Sequence, residues 1–114
     1  MTHADELANE HCTPATPGQK PLESAAVEAL LSGLAGWRLV GASCIEKTYV
    51  FKDFLTALAF VNALGGIAEE QGHHPDFFLG WGKVKVQLTT HDVGGLSRAD
   101  FIMAARVERY SQLS

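Results

Sequence analysis

Apolar side chains between residues 22 and 34 recur at the spacing of one helical face. They occupy positions i, i+3, i+4 and i+7, in the order Val27, Leu30, Leu31 and Leu34. This spacing predicts an amphipathic helix. Gly33 and Gly36 provide its end, because glycine readily adopts the left-handed conformation that terminates helices.

Four segments show the alternation, or the β-branched and aromatic content, that strands have. Residues 37–40 and 45–51 predict a hairpin around a turn at residues 41–43. The aromatic stretch over residues 76–81 predicts a third strand. Residues 83–90 predict a fourth strand, in which polar and apolar side chains alternate from Lys83 to Leu88; this is typical of a half-buried strand in an antiparallel sheet.

A long helix is predicted from about residue 53 to residue 71, with the Asp53 carboxylate capping its first turn. Apolar residues cover nearly every side of this helix: Phe54, Leu55, Leu58, Phe60, Val61, Leu64 and Ile67. A small two-layer domain covers only one side, so we expect the other side to form an oligomer interface. The Gly65–Gly66 pair predicts a close helix–helix approach or a local bend.

A last helix is predicted over residues 98–112, which completes the order helix, two strands, helix, two strands, helix. This order predicts an α+β domain over residues 21–114, with a four-stranded antiparallel sheet that carries its helices on one face. Residues 1–20 are mostly small or polar and contain turn-forming residues. We expect them to form a flexible N-terminal tail or a loosely docked arm.

The 114-residue chain has a net charge of −4 and 46% hydrophobic residues. The hydrophobic fraction is that of a globular domain, and the acidic balance disfavours a nucleic-acid-binding surface. No apolar run approaches the roughly 18 residues that a membrane span needs, and we see no signal peptide. Because Cys12 and Cys44 do not make a disulfide framework, we expect a reducing, cytoplasmic setting.

Three histidines lie where predicted elements end. His73 and His74 follow the long helix, and His91 follows the most regular strand. Glu69 lies four residues before His73, a spacing at which the side chains meet and the carboxylate favours the charged imidazole. Pro75 forces His74 out of helical geometry, so the two rings should face a shared space from different angles. Imidazoles around one pocket predict general acid–base catalysis near neutral pH.

Several alternatives stay open on spacing alone. His73 and His74 can satisfy carbonyl groups at a helix C-terminus, and His91 can be a structural loop residue. Asp100 fits a capping box at the start of the last helix, an interpretation favoured over a catalytic carboxylate. A metal site is a third option, although the His-Glu-x-x-His spacing of zinc enzymes is absent. Trp81 can pack in the core or border a flat ligand.

Seven residues form a multi-part pattern that extends over most of the domain: Glu69, His73, His74, Pro75, Trp81, His91 and Asp100. The pattern resembles the signature of the pterin-4a-carbinolamine dehydratases. That signature consists of an acidic residue, three spacers, His-His-Pro, an aromatic residue, a later histidine and an aspartate. The resemblance covers about residues 21–110. The chain departs from it at Phe77, where relatives often carry tryptophan.

The resemblance implies a lyase that removes water from a 4a-hydroxytetrahydropterin and gives the quinonoid dihydropterin. This reaction recycles the pterin cofactor of aromatic amino-acid hydroxylases. The resemblance also implies a homo-oligomer, either a dimer that extends the sheet or a tetramer packed through helices. It implies no metal or organic cofactor, and we expect no direct nucleic-acid or membrane partner. The alternative is a non-enzymatic protein-binding relative, of the transcriptional-coactivator or Rubisco-assembly type.

The resemblance assigns roles to the matching residues as well. It implies that His73 and His91 are the acid–base histidines on either side of the pterin ring. Glu69 is implied to polarise His73 and to hold its orientation. The implied substrate-binding residues are the remaining four: His74, Pro75, Trp81 and Asp100.

Overall fold

A computed structural model describes residues 3–113 as four helices and a four-stranded sheet. The helices are α1 (His3–Ala8), α2 (Ser24–Leu31), α3 (Phe54–Gln71) and α4 (Arg98–Leu113). The strands are β1 (Arg38–Val40), β2 (Cys44–Val50), β3 (Asp76–Gly80) and β4 (Lys83–Leu88), and a 3₁₀ turn covers His91–Val93. The predicted α+β class and element order are confirmed, with α1 as an addition.

The sheet is antiparallel throughout and has the strand order β1-β2-β4-β3. β4, the strand with strict alternation, therefore lies inside the sheet, and β3 forms one edge. On the face that packs against the helices, the β4 side chains are fully buried: Val84, Val86 and Leu88. The other face is open, and there Lys85 of β4 lies between Thr48 of β2 and Phe78 of β3.

The hydrophobic core lies between the sheet and the helices. α4 contributes a continuous buried run over residues 99–105, and the side chains of Phe101 and Met103 have no exposed surface. Phe60 of α3 packs against two aromatic rings from the end of β2, with centroid distances of 5.0 Å to Tyr49 and 4.9 Å to Phe51. These contacts fix both long helices on the sheet, so the ends of α3 and α4 have defined positions.

Helix α3 begins as predicted, because the Asp53 Oδ1 atom accepts a hydrogen bond of 2.8 Å from the Thr56 backbone N–H. One side of the helix is buried, whereas the Leu55 side chain is 74% exposed. A Cβ atom at Gly65 or Gly66 would meet nothing within 4 Å. The predicted close approach is therefore wrong for packing within the described chain, and the oligomer interface stays a prediction.

Residues 1–20, the predicted tail, contain helix α1 and a well-bonded segment that follows it. Leu7 is only 1% exposed, because α1 packs against α4. Arg98 makes a two-point ion pair with the Glu10 carboxylate at 2.6 and 2.8 Å, and Arg106 donates to the Glu10 carbonyl at 2.6 Å. A buried leucine and two arginines dock this segment on α4, so of the two expectations the flexible tail does not describe it. Residues 1 and 2 lie outside the described part.

None of the helices within residues 3–113 has the combination of length and apolar character that crossing a membrane requires.

Leu7→Ala should lower the free energy of unfolding by about 2–5 kcal/mol, because it leaves a cavity between α1 and α4. Urea unfolding followed by circular dichroism measures this difference. Leu113→Ala is the matched control, since Leu113 is 80% exposed, and should change stability by less than about 0.5 kcal/mol. Equal stability of the two variants would contradict the docking of α1.

Candidate active site

The three histidines singled out in the sequence border one cavity of about 250 Å³. The cavity lies where α3 and β4 end. Its lining comes from two short segments: Gly72, His73, His74, Thr89, Thr90, His91 and Asp92. Three imidazoles from two parts of the chain therefore share one space.

Gly72 determines how His73 reaches this cavity. α3 ends at Gln71, and Gly72 has the left-handed conformation with φ 65° and ψ 25°. The backbone N–H groups of Gly72 and His73 both donate to the Ala68 carbonyl, as in a helix C-cap. The chain thus leaves the helix before His73, so His73 does not continue the helical face that carries Glu69.

The expected pairing of Glu69 with His73 is accordingly wrong. The Glu69 carboxylate contacts Nε2 of His74 instead. The i, i+4 argument fails because it requires helical geometry through residue 73, and the left-handed glycine interrupts it. The side chains of this pair are 78% and 60% exposed, so the contact contributes little to stability.

His73 is bound by Asp100 at the start of α4. The His73 Nε2 atom lies 2.6 Å from Asp100 Oδ1, and the Asp100 side chain has no exposed surface. The second carboxylate oxygen, Oδ2, accepts from the Thr90 hydroxyl at 2.7 Å and from the Ser97 backbone N–H at 2.9 Å. The carboxylate is therefore satisfied from three segments at once.

This arrangement assigns the tautomer of His73. An ionised carboxylate only accepts hydrogen bonds, so Nε2 carries a proton that it donates to Asp100. In the neutral ring Nδ1 is then the basic nitrogen. The contact with Asp100 therefore fixes the orientation of the His73 ring and leaves Nδ1 as the nitrogen that can accept a proton.

Asp100 contacts both a helix cap and a cavity histidine. Its bond to the Ser97 N–H is one half of the expected capping box. Its other oxygen faces His73. The Ser97 hydroxyl lies 2.8 Å from the Thr90 hydroxyl, which links the end of β4 to the start of α4.

His91 is positioned by a tight turn that follows Thr90. Thr90 and Gly95 form an antiparallel bridge, with a 2.8 Å bond from the Thr90 N–H to the Gly95 carbonyl. Gly94 has φ 72°, and its N–H donates to the His91 carbonyl. The turn holds the exposed His91 side chain at the cavity rim, beside Thr90.

Trp81 is the predicted site residue that the fold does not bring to the histidine cavity. It lies in the turn between β3 and β4 and is 71% exposed. Pro75, in contrast, follows His74 directly and leads into β3. The five residues of β3 thus separate Trp81 from the cavity.

Thr90 is a further residue at the site, and no motif in the sequence predicts it. Its hydroxyl bonds the Asp100 carboxylate, and the only signal for it was its position next to His91. The fold brings it to Asp100 because β4 ends beside the start of α4.

Other chemical options have weaker support in the structure. Within residues 3–113, no three His, Cys, Asp or Glu side chains are grouped so that they could hold a metal ion. Burial raises the pKa of the Cys12 thiol to about 11, which disfavours a thiolate nucleophile.

A second, larger cavity of about 510 Å³ lies between β2, α3 and α4, and aromatic and aliphatic side chains form most of its lining.

Comparisons with known proteins agree with the motif. The family model for pterin 4 alpha carbinolamine dehydratase matches residues 20–110. A protein from Dechloromonas aromatica is 40% identical over 113 residues, which cover 99% of this chain and 100% of that protein. A protein from Microcystis aeruginosa is 44% identical over 106 residues, covering 90% and 91%. Both are provisionally named pterin-4-alpha-carbinolamine dehydratases.

Two solved structures share the fold. One, from Brucella melitensis, is described as a transcriptional coactivator/pterin dehydratase; it has a TM-score of 0.75 and 33% identity, and covers 79% of this chain and 97% of that chain. The other is described as a pterin dehydratase-like protein that is a RuBisCO assembly factor in the alpha-carboxysome. It has a TM-score of 0.55 and 29% identity, and covers 65% and 87%. Because the family model spans most of the chain and full-length relatives are about 40% identical, the chain belongs to the pterin 4 alpha carbinolamine dehydratase family.

Proposed function

We propose that this chain is a dehydratase that converts a 4a-hydroxytetrahydropterin into the quinonoid dihydropterin, in recycling of the pterin cofactor of hydroxylases. One observation carries the proposal: His73, held by a buried carboxylate, shares a cavity with His91. Membership of the family supports the substrate class.

The reaction needs two proton transfers and no change of oxidation state. The bond between C4a and the hydroxyl oxygen breaks, its electron pair goes to oxygen, and a proton from an imidazolium lets that oxygen leave as water. A ring nitrogen loses a proton to a second imidazole, and its electron pair forms the new double bond. Positioned histidines accelerate each such step by about 10²- to 10⁴-fold, and the reaction consumes no redox equivalents.

In this proposal His73 and His91 are the acid–base histidines. His73 exchanges its proton through Nδ1, since Nε2 is committed to Asp100. Asp100 is a positioning residue that fixes the orientation and the tautomer of the His73 ring. This role replaces the one expected for Glu69, which contacts His74 and helps to orient the ring that binds the pterin.

A protein-binding role is the second candidate function. The α3 residues Phe54 and Leu55 are 45% and 74% exposed, and a structural neighbour is described as a RuBisCO assembly factor. Light scattering tests it: a stable homo-oligomer would cover α3 with a second copy, whereas a monomer would leave the helix for another protein. The His73–Asp100 pair favours catalysis, since a scaffold has no use for a histidine held in one tautomer.

His73→Ala and His91→Ala should each reduce the dehydration rate of an enzymatically generated 4a-carbinolamine by about 10²-fold or more, because each removes one proton-transfer group. A spectrophotometric assay of quinonoid dihydropterin formation measures the rate. His3→Ala is the matched control on α1, outside the cavity, and should keep the wild-type rate. Wild-type activity in both cavity variants would remove the assignment.

Asp100→Asn should lower kcat about 10²-fold with little change in KM, because the amide keeps the shape of the carboxylate but cannot accept with both of its ends, and so no longer fixes the His73 tautomer. Glu28→Gln, an exposed carboxylate on α2 outside the cavity, is the control and should leave kcat unchanged. If Asp100 had a purely structural role, Asp100→Asn would lower the free energy of unfolding but leave the kcat of the folded fraction unaltered. Denaturant unfolding and light scattering would detect that outcome.

A further inference from the structure

Gln71 is a buried polar residue at the end of α3 to which the proposed chemistry assigns no role. It is only 7% exposed, and its side-chain amide contacts residues 10–12, which we call the bridging segment. The Oε1 atom accepts from the Cys12 backbone N–H at 2.8 Å, and the Nε2 atom lies 3.3 Å from Nδ1 of His11. A backbone N–H can only donate, so the amide oxygen faces Cys12 and the amide NH₂ group faces His11. Both ends of the buried amide are therefore satisfied by one segment.

The bridging segment is also bound to the start of α4. Arg98, the first residue of this helix, pairs with the Glu10 carboxylate at 2.6 and 2.8 Å. The Cys12 sulfur lies 3.6 Å from the Ala99 carbonyl oxygen, a weaker contact because a thiol is a poor donor. The segment thus connects the last residue of α3 to the first turn of α4.

These two helix ends carry the His73–Asp100 pair. Gln71 lies two residues before His73, and Ala99 lies directly before Asp100. Gly72, the residue between Gln71 and His73, is exposed and has no side chain that could fix its position. The backbone that leads into His73 is therefore anchored through Gln71.

We propose that Gln71 is a positioning residue for the dehydration, because it ties α3 to the bridging segment and so holds His73 against Asp100. The Asp100 contact orients the ring, and the Gln71 bond restrains the backbone from which that ring extends. A displacement of about 1 Å in a catalytic group can reduce the rate up to about 10²-fold. The inference rests on the proposed function, since an effect on the rate requires that His73 transfers a proton.

Gln71→Leu should lower kcat about tenfold with little change in KM, because leucine leaves the Cys12 N–H without an acceptor and loosens the backbone at His73. The assay of quinonoid dihydropterin formation measures both constants. Gln112→Leu is the matched control. Gln112 is exposed on the last turn of α4, about 18 Å along the helix from Asp100, and its replacement should keep the wild-type kcat. A wild-type kcat in Gln71→Leu would overturn the proposal.

Two substitutions of Cys12 separate its backbone from its thiol. Cys12→Pro removes the N–H group that Gln71 accepts and should lower kcat as much as Gln71→Leu does. The double variant Gln71→Leu/Cys12→Pro should be no slower than either single variant, since all three lack the same bond. Cys12→Ala keeps the N–H group and should keep the wild-type kcat. Reductions that multiply in the double variant, or a slow Cys12→Ala, would overturn the assignment to this bond.

A ring-proton signal tests the positioning without activity. A ring N–H that donates to a buried carboxylate makes a strong hydrogen bond and gives a downfield proton resonance. Here that proton is on Nε2 of His73, and its absence from the spectrum of His73→Ala identifies it. In Gln71→Leu the resonance should move upfield or broaden beyond detection, whereas Gln112→Leu should keep it.

The same spectra separate positioning from stability and from the proposed function. An unshifted His73 resonance in Gln71→Leu, together with a lower free energy of unfolding, would mean that Gln71 is purely structural and would overturn the proposal. If the wild-type protein has no dehydratase activity but its His73 resonance responds to Gln71→Leu, the proposed function is overturned and the positioning by Gln71 is supported.

Discussion

One buried carboxylate, that of Asp100, connects the fold to the chemistry of the cavity. Asp100 has no exposed surface, and an unpaired carboxylate in that position would cost several kcal/mol. Its partners are His73 after α3, Thr90 after β4 and the Ser97 N–H before α4. Three elements must therefore meet at one point for the chain to fold, and the same contacts orient the imidazole that we assign to proton transfer.

The cavity is built where rigid elements end, and left-handed glycines direct the chain at both sides of it. Gly72 turns His73 away from the α3 axis towards α4, and Gly94 closes the turn that holds His91. A side chain in either position would be strained, since non-glycine residues rarely adopt these angles. The histidines thus owe their positions to backbone geometry and to Asp100, rather than to packing of the rings.

Much of this architecture follows from local patterns. The alternation of β4 and the Asp53 cap of α3 have local causes, and the structure contains both. The pairing of Glu69 was predicted wrongly, because the i, i+4 spacing requires helical geometry through residue 73, whereas α3 ends at Gln71 and the left-handed Gly72 redirects the chain. Helix α1 itself was not predicted, since a helix of six residues carries almost no periodic signal and Leu7 is buried by a helix that is distant in the sequence.

The most direct test of the central claim is whether the three imidazoles form one pterin site. Proton NMR can follow the histidine ring resonances during titration with a stable oxidised pterin. If the three imidazoles form one pterin site, the signals of His73, His74 and His91 shift with one common saturation curve. The chemical shifts of His3 and His11 stay unchanged. A pterin that binds while leaving the first three signals unchanged would contradict it.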